Sequence, residues 1–221
     1  MYSLEDLGVS NIKIYQKDGL YKFTSDSILL AKFSSVKNGD VVADFCSGSG
    51  IVGFYLYGLN PDKINSVNFF ELQKPLYETC LKSIELNSLS DKFFANNIKI
   101  QDIDNSYMGK FSLITCNPPY MEAGSGFSDK DQHIAICRRE IFLPLKDLVA
   151  VIAKCLKFGG RVNMVNRADR LSDVFSEFKK NNIEPKKLQF VSAQGKKPYL
   201  FMVEGVKGGK SGLDVLQTVQ N

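Results

Sequence analysis

Residues 41–54 read VVADFCSGSGIVGF, and this stretch decides the fold. An apolar run leads into a loop in which Gly48, Gly50 and Gly53 have the spacing G-x-G-x-x-G. Glu71 comes roughly 20 residues further on, at the end of the next apolar run. Glycine lets the backbone approach a ligand closely, and a carboxylate at a strand end accepts hydrogen bonds from both ribose hydroxyls. The stretch therefore predicts a strand, a loop and a helix that bind a nucleoside-bearing cofactor, without choosing which one.

Short apolar runs alternate with amphipathic stretches along most of the chain. The sequence predicts strands at 41–45, 66–70, 97–100, 111–116, 161–165, 187–191 and 198–205. Apolar residues at helical spacing predict helices at 51–59, 74–87, 143–157 and 169–182. This alternation is typical of an α/β fold with a mainly parallel sheet and helices on both faces. The last two strands leave no room for a crossover helix, so we expect an antiparallel hairpin there.

The length and composition indicate one globular domain. The chain has 221 residues, of which 44% are hydrophobic and 24% charged, and both values are ordinary for a soluble protein. We expect this domain to span residues 1–205 and a tail to span 206–221. The segment from Gly205 onward is rich in Gly and Lys, so we expect poor order there before a short final helix. The net charge of +4 is compatible with a polyanionic partner and does not demonstrate one.

The composition also disfavours several classes of protein. The five cysteines form no C-x-x-C pair and there is one histidine, so no metal site is predicted. The first residues carry acids and contain no apolar run, so no signal peptide is predicted. No apolar stretch approaches the length of a membrane span. The sequence therefore predicts a cytoplasmic protein with no membrane association, no metal and no obligate protein partner.

Acidic residues around the glycine loop favour one cofactor over another. Asp44 lies four residues before Gly48, at the end of the predicted strand. A carboxylate there would repel a pyrophosphate but suits the ammonium group of an amino-acid-bearing cofactor, directly or through water. Asp102 follows the third predicted strand, where its carboxylate would accept a hydrogen bond from an adenine amino group. For Asp102 and Asp104 a solvated loop is the alternative, but together these acids favour S-adenosylmethionine over NAD.

A second informative stretch is FSLITCNPPY, residues 111–120. Proline cannot donate to a sheet ladder and forces the preceding residue toward extended geometry, so the predicted strand must stop at Asn117. Pro118 and Pro119 then stiffen the loop and hold Asn117 and Tyr120 on either side. A rigid loop at the end of a central strand can present polar atoms and a ring to a ligand. A plain strand-terminating turn is the alternative interpretation of these four letters.

With these motifs in this order, roughly residues 25–205 resemble the class I S-adenosylmethionine-dependent methyltransferases. The resemblance implies a Rossmann-like fold with a seven-stranded, mainly parallel sheet whose last strand is antiparallel. The Asn-Pro-Pro-Tyr motif is similar to that of members acting on a nitrogen conjugated with a π-system, such as adenine N6, cytosine N4 or a glutamine amide. This implies S-adenosylmethionine as cofactor, held by Asp44, Gly48, Gly50, Glu71, Leu72, Asp102, Ile103 and Asn117.

The same resemblance implies roles for the Asn-Pro-Pro-Tyr residues. Asn117, Pro118 and Tyr120 would act catalytically. The Asn117 side-chain oxygen and the Pro118 carbonyl can each accept one amino N–H of an adenine. That arrangement localises the lone pair of an otherwise poor nucleophile. Tyr120, with Pro119 beside it, would contact the extruded base, and a base–aromatic stack is worth roughly 1–3 kcal/mol.

Residues 13–33, KIYQKDGLYKFTSDSILLAKF, narrow the resemblance. They are similar to the N-terminal segment of the bacterial tRNA adenine-N6 methyltransferases that modify position 37 of a valine tRNA. The similar positions are Gln16, Gly19, Tyr21, Phe23, Asp26, Ser27, Leu29 and Leu30. The resemblance implies that residues 1–40 form a lid segment over the cofactor and that Asp26 binds it. The alternative for Asp26 is a helix N-cap before ILLAKF.

Basic residues supply the predicted contacts to an RNA. The loop after Tyr120 ends in Cys137-Arg138-Arg139-Glu140, which is similar to an Ala-Arg-His-Glu run of the same family. Arg138 and Arg139 are predicted phosphate contacts, with an ion-paired helix start as the alternative. Further predicted contacts are Lys196 and Lys197, and an extended footprint would add Lys186, Lys187, Arg161, Arg167 and Arg170. Solvated loop charges are the alternative for the whole set.

The sequence therefore predicts a methyltransferase acting on the N6 amine of adenine in tRNA, at position 37 of a valine tRNA, with tRNA as its partner. Two alternatives share the chemistry, namely a ribosomal RNA base methyltransferase and a release-factor glutamine methyltransferase. An NAD-dependent oxidoreductase is the alternative from another class. That alternative explains the glycine spacing and leaves Asp44 and the Asn-Pro-Pro-Tyr run unexplained.

Overall fold

The computed structural model describes residues 1–119 and 143–221. In chain order its strands are β1 (Tyr2–Asp6), β2 (Lys13–Lys17), β3 (Asp40–Phe45), β4 (Ile64–Glu71), β5 (Phe93–Asn97), β6 (Phe111–Cys116), β7 (Leu156–Arg167), β8 (Ile183–Ser192), β9 (Leu200–Lys207), β10 (Asp214–Val215) and β11 (Val219–Gln220). Its helices are α1 (Ser25–Phe33), α2 (Ile51–Leu59), α3 (Lys74–Leu86), α4 (Leu145–Cys155) and α5 (Leu171–Lys180). Short 3₁₀ turns lie at Ile100–Asp102, Asn105–Tyr107 and Ala168–Arg170.

Seven of these strands form the body of the central sheet, in the order β5-β4-β3-β6-β7-β9-β8. The strands from β5 to β7 pair in parallel, whereas β9 is antiparallel to both of its neighbours, β7 and β8. The predicted α/β fold with an antiparallel last strand is therefore confirmed. The two short strands β10 and β11 add to the outer side of β8, which brings the sheet to nine strands.

Both faces of the central strands are covered, as a parallel sheet requires. On β3 and β6, Val42 and Leu113 face one apolar core, which α1, α2 and α3 complete. Ala43 and Ile114 face the other core, which α4 and α5 complete. Because every residue of β6 is buried, its sequence FSLITC shows no alternation of apolar and polar residues.

The third predicted strand, at 97–100, is wrong. The chain pairs with β4 earlier, through β5, because Phe93 packs its ring against the rings of Phe54, Tyr57 and Phe69. The amide of Asn97 then donates to the backbone carbonyls of Glu71 and Leu72 and ends the strand. Because FFANN ends in polar residues, its sequence is more typical of a loop than of this edge strand.

The final helix expected after Gly205 is also wrong. The sheet strand β9 continues to Lys207, across the expected domain limit at 205, and the tail then runs along β8 as β10 and β11. Asn221 extends this pairing, since its backbone N–H donates to the Ser192 carbonyl at 3.0 Å. The expected boundary between a domain at 1–205 and a tail at 206–221 stays a prediction.

The N-terminal residues form a β1–β2 hairpin that lies along α3. The backbone N–H of Tyr15 donates to Ser83 Oγ at 2.9 Å, and the N–H of Lys13 donates to Asn87 Oδ1 at 3.0 Å. Helix α1 begins at Ser25 with Thr24 at its N-cap position, so Asp26 lies in the first turn and is not the N-cap. No helix in residues 1–119 or 143–221 is long and apolar enough to cross a bilayer.

Arg161 lies in a buried ion pair and not on an RNA-facing rim, which corrects part of the predicted footprint. Its Nη2 contacts Asp40 Oδ2 at 2.5 Å, and both side chains are almost fully buried. Ser112 Oγ donates to the other oxygen of Asp40 at 2.6 Å. These groups join the first residues of β3 and β6 to β7, at the edge of the sheet opposite the carboxyl ends of the parallel strands.

We predict that Arg161→Ala lowers the free energy of unfolding by about 3–5 kcal/mol, because it leaves the Asp40 carboxylate buried without its cation. Urea denaturation followed by circular dichroism measures this change. Lys180→Ala is the control, since Lys180 pairs with Glu177 on the surface at 2.6 Å and should change stability by less than about 1 kcal/mol. Equal effects of the two substitutions would contradict the buried pair.

Candidate active site

A cavity of about 290 Å³ opens where the carboxyl ends of β3, β4 and β6 meet. Such an edge is where open α/β sheets bind their ligands. The walls combine the glycine loop, the end of β4, the turn after β5, the Asn-Pro-Pro segment and the segment leading into α1. Loops that the sequence separates widely therefore share one cavity.

The glycine loop follows β3 through three residues with left-handed backbone. Cys46 has φ +58°, Gly48 has φ +57° and Gly50 has φ +92°. Gly48 lines the cavity, and its backbone N–H donates to Glu71 Oε2 at 2.9 Å. Gly50 precedes α2 and does not line the cavity, because it packs inward. A Cβ on Gly50 would lie 2.9 Å from Cys80 Sγ.

Gly53 shows why the third glycine of the fingerprint is present. A Cβ on this residue would lie only 2.4 Å from the ring of Phe69 on β4. Gly53 therefore lets α2 pack closely on the sheet, which is the usual duty of the third glycine in this spacing. The loop places Gly48 at the cavity, whereas Gly50 and Gly53 serve the packing behind it.

Glu71 lies at the cavity, as the sequence predicts. It ends β4, and its Oε1 accepts a hydrogen bond from the backbone N–H of Gln73 at 2.7 Å. Burial raises the pKa of this carboxyl, although hydrogen bonds from the backbone of Gln73, Gly48 and Leu72 oppose that effect. An oriented carboxylate can accept further hydrogen bonds from a pair of hydroxyls, because each oxygen has two lone pairs.

Asp44 lies behind the cavity wall. It is 1% exposed and does not line the cavity. Its Oδ1 accepts from Thr115 Oγ1 at 2.9 Å, and its Oδ2 accepts from the backbone N–H of Gly53 at 3.1 Å. Burial raises the pKa of the Asp44 carboxyl to about 7, the bonds from Thr115 and Gly53 oppose the rise, and the charge of Glu71 adds to it. The structure thus places Asp44 at the same edge of the sheet as the cavity, but both of its oxygens accept hydrogen bonds from the protein itself.

The turn after β5 meets the cavity one residue earlier than the sequence predicts. Lys99, Ile100 and Gln101 line the cavity, whereas Asp102 is exposed and neither it nor Ile103 lines the wall. The displacement follows from the true position of the strand, which ends at Asn97 and leads into the 3₁₀ turn at Ile100–Asp102. Leu72 on the neighbouring loop does line the cavity, as predicted.

Asn117, Pro118 and Pro119 all lie at the cavity, directly after β6. The Asn117 side chain is fixed by one long-range hydrogen bond, in which its Nδ2 donates to Ser27 Oγ at 3.0 Å. That bond uses the amino end of the amide. The Asn-Pro-Pro segment is therefore placed beside the glycine loop, which is what a role in binding or catalysis requires.

The N-terminal segment closes one side of the cavity. Tyr21, Phe23, Thr24 and Ser27 line it. The expected cofactor lid at residues 1–40 stays a prediction. Asp26 is not among the lining residues. Its neighbour Ser27, one residue further along the first turn of α1, reaches the cavity instead.

Of the other residues predicted to contact the substrate, the structure describes two and leaves three outside its described range. Tyr120, Arg138 and Arg139 lie outside the described residues. Lys196 and Lys197 are exposed in the turn between β8 and β9. Because β8 runs in the same direction as β7, this turn lies at the same edge of the sheet as the cavity.

Sequence reasoning missed one polar group of the cavity. The hydroxyl of Ser47 lies within the glycine loop, 4% exposed, and has no hydrogen-bond partner among the described residues. A buried hydroxyl without a partner is costly unless a ligand or water satisfies it. The sequence C-S-G-S-G places Ser47 next to Gly48. From sequence alone, however, a serine at a binding site cannot be distinguished from an ordinary turn residue in such a loop.

A sequence profile settles the family. Residues 13–182 match the family described as "Methyltransferase small domain". The chain belongs to the methyltransferase small domain family. This matched range covers the glycine loop, Glu71 and the Asn-Pro-Pro segment, so the cavity lies within the methyltransferase domain. The oxidoreductase alternative is thereby ruled out.

Two curated relatives of this methyltransferase domain carry the same name. A protein of Shewanella sp. (strain MR-4), named tRNA1(Val) (adenine(37)-N6)-methyltransferase, is 25% identical over 144 residues, which are 64% of this chain and 59% of the relative. A protein of Mannheimia succiniciproducens with the same name is 25% identical over 74% of this chain and 64% of its own length. The chain thus spans about three fifths of the length of the first curated relatives that it matches.

Solved structures share the fold. A predicted O-methyltransferase from Agrobacterium tumefaciens, protein Atu636, has a TM-score of 0.69 at 16% identity and covers 88% of this chain and 86% of its own. TYW2 of P. horikoshii, in complex with MeSAdo, has a TM-score of 0.66 at 13% identity and covers 94% and 72%. At these identities the likeness establishes the methyltransferase fold. Within the described part of the chain, no group of three or more His, Cys, Asp or Glu side chains is placed to hold a metal ion.

We predict that Asp44 makes the stability of the protein fall as the pH rises. The folded-state pKa of about 7 lies above the ordinary value of 3.8, so between these values the folded chain holds a proton that the unfolded chain lacks. The contribution is fully present below pH 3.8, declines by up to about 1.4 kcal/mol per pH unit, and is lost above pH 7. Urea denaturation from pH 4.5 to 8 measures this dependence.

Asp44→Asn should flatten that decline, because the amide does not titrate. Asp62→Asn is the matched control on the surface and should follow the parent protein at every pH. Parallel curves for the parent protein and Asp44→Asn would contradict the raised pKa.

Proposed function

We propose that this protein uses S-adenosylmethionine to methylate the exocyclic N6 amine of adenine in tRNA, at position 37 of a valine tRNA. The observation that carries the proposal is the meeting of Gly48, Glu71, Asn117 and Pro118 at one cavity. Family membership supports the reaction type, and the curated relatives bear the name of this activity. A tRNA substrate would place the enzyme in the cytoplasm.

The chemistry of the cavity suits the cofactor. The oriented carboxylate of Glu71 fits a ribose diol, and the apolar side chains of Leu72 and Ile100 fit the faces of an adenine. The buried hydroxyl of Ser47 offers one more polar contact. When bound, S-adenosylmethionine supplies an electrophilic methyl group on a sulfonium. Asp44 supports the site from behind, through the backbone N–H of Gly53 in α2.

Asn117 and Pro118 supply what an adenine amine needs. The lone pair of this amine is delocalised into the ring, which makes the nitrogen a poor nucleophile. Because Nδ2 of Asn117 donates to Ser27, the amide oxygen is the end left to accept an amino N–H. The Pro118 carbonyl would accept the second N–H. Two fixed acceptors orient the nitrogen and localise its lone pair, which is catalysis by positioning and electrostatics.

An RNA substrate is supported by the basic turn beside the cavity. Lys196 and Lys197 lie in the turn before β9, and the hydroxyl of Tyr199 in that turn is hydrogen-bonded by Asn221 Nδ2 at 2.9 Å. The same Nδ2 contacts Ser25 Oγ at 2.7 Å, at the start of α1. This links the lysine-bearing turn to the helix that lines the cavity. Tyr120, Arg138 and Arg139 complete the proposed substrate contacts and lie outside the described residues.

Mass spectrometry of nucleosides tests the function. Unmodified bulk tRNA incubated with the protein and S-adenosylmethionine should yield N6-methyladenosine, which establishes the base and the atom together. Transfer of label to ribosomal RNA, or to a glutamine of a release factor, would replace the tRNA proposal by one of its alternatives. The absence of any methylated product from tRNA, with S-adenosylmethionine still bound, would overturn the tRNA assignment.

We predict that Asn117→Ala lowers the turnover rate by roughly 100-fold or more while binding of S-adenosylmethionine stays nearly intact, because the substitution removes only the acceptor for the substrate amine. Glu71→Gln should show the opposite pattern, with cofactor binding weakened roughly 10- to 100-fold. Calorimetry of cofactor binding and single-turnover methylation separate the two. A normal rate for Asn117→Ala would refute the catalytic assignment.

We predict that replacing Lys196 and Lys197 by alanine weakens tRNA binding and lowers the slope of log affinity against log salt concentration by roughly one for each phosphate that the protein no longer neutralises. Fluorescence anisotropy with labelled tRNA measures both quantities. The matched control is the pair Lys179 and Lys180 at the end of α5, next to the start of β8 and so at the opposite edge of the sheet, which should leave both quantities unchanged. An unchanged salt slope for the Lys196/Lys197 variant would remove this turn from the RNA-binding surface.

A further inference from the structure

The side-chain amide of Asn117 has two unlike ends, and only one of them suits the proposed reaction. The oxygen accepts hydrogen bonds and the nitrogen donates them. A substrate amine presents N–H groups, so it needs the oxygen. We propose that Ser27 is a positioning residue that fixes the Asn117 amide with its oxygen toward the substrate. This inference rests on the proposed function and assigns a role to a residue of α1.

The contact itself is specific. Nδ2 of Asn117 lies 3.0 Å from Ser27 Oγ, and both residues line the cavity. Ser27 is 4% exposed, so water competes poorly for its hydroxyl. The backbone N–H of Ser27 already donates to the Thr24 carbonyl at 3.2 Å, within the first turn of α1. The hydroxyl is therefore the group of Ser27 that faces Asn117.

The amide needs such a partner because its own torsion does not decide its orientation. The χ2 torsion of Asn is broad and nearly two-fold, so a turn of 180° exchanges oxygen and nitrogen at little intrinsic cost. The exchanged amide would point its N–H groups at the N–H groups of the substrate amine. In the structure the Ser27 hydroxyl accepts from Nδ2, and this bond holds the amide with its oxygen free for the substrate before the substrate arrives.

The turn that carries Ser27 is held firmly in place. Leu30 and Ala31, on the next turn of α1, are fully buried in the core beneath the helix. On the other side, Ser25 Oγ accepts a hydrogen bond from Asn221 Nδ2 at 2.7 Å. A positioning residue on a packed helix keeps its partner within a narrow range of geometry. Ser27 thus reaches across 90 residues of sequence to fix the group that follows β6.

The first test is kinetic. Ser27→Ala should lower the single-turnover rate with unmodified tRNA by roughly 3- to 10-fold, the decrease expected when one neutral hydrogen bond is removed, while the affinity for S-adenosylmethionine stays unchanged. Ser27→Thr, which keeps the hydroxyl, should restore the rate. Ser176→Ala makes the same chemical change at an exposed position of α5, away from the cavity wall, and should keep the parent rate.

The second test does not depend on activity. In the cofactor-free protein, the side-chain ¹⁵N–¹H₂ resonances of Asn117 are assigned by their disappearance in Asn117→Ala. Hydrogen exchange at these protons should be slow in the parent protein and in Ser27→Thr, and fast in Ser27→Ala. This readout reports the hydrogen bond alone, so it separates a failure of this inference from a failure of the proposed function.

Together, the kinetic and exchange results either support or overturn the positioning role of Ser27. Fast exchange in Ser27→Ala together with a reduced rate supports the positioning role. A parent rate in Ser27→Ala overturns it, and so does an Asn117 amide that is insensitive to Ser27. A reduced rate in Ser27→Ala that Ser27→Thr does not restore overturns it in favour of general damage to α1, and an equal decrease in Ser176→Ala overturns it as well. If the parent protein methylates no tRNA, the proposed function fails and the positioning role for that reaction fails with it, whereas the exchange data still establish the hydrogen bond.

Discussion

The hydrogen bond from Thr115 to Asp44 joins the two strands on which the site depends. Thr115 is the penultimate residue of β6, and Asp44 is the penultimate residue of β3, directly opposite it in the parallel ladder. The other oxygen of Asp44 accepts from the backbone N–H of Gly53 in α2. One buried carboxylate therefore couples the helix after the glycine loop to the strand that carries the Asn-Pro-Pro segment. Burial of such a group is costly unless its hydrogen bonds are made, and these two bonds meet that requirement.

Polar side chains continue from this bond across the sheet. In the backbone register Thr115 lies opposite Asn163 on β7, Asn163 opposite Glu204 on β9, and Glu204 opposite Lys187 on β8. Lys187 Nζ lies 3.3 Å from Glu204 Oε1, so the row ends in an ion pair near the surface. Because directly opposed residues project to the same face, a shift of one residue in any of these strands would move a polar group into the apolar core of the other face. The row thus specifies the register that brings the strand ends to one edge.

The sequence predicted those parts of the site in which the residue type and its position in the chain both indicate the same local structure. Residues 111–116 are an uninterrupted apolar run closed by two prolines, so the strand and its end at Asn117 followed from steric rules. The glycine spacing likewise placed Gly48 and Glu71 at the cavity. The sequence failed where long-range packing decides. The ring of Phe93 sets the start of β5, and this moves Asp102 away from the cavity wall. Three further features depend on partners between 9 and 196 residues away. They are the inward position of Asp44, the presence of Ser27 instead of Asp26 at the cavity wall, and the strands of the tail.

The contact between Asn221 and Ser25 joins residues that are 196 positions apart, across nearly the whole length of the chain. Contacts of such high sequence separation carry a large loop-closure cost and tend to form late in folding. During synthesis, the glycine loop and the Asn-Pro-Pro segment emerge long before residues 219–221, which pair with β8 and reach α1. A nascent chain therefore has both of its sequence motifs while one wall of the cavity still lacks its final anchor. The wall of the cavity formed by α1 is thus completed only once residues 219–221 have been added.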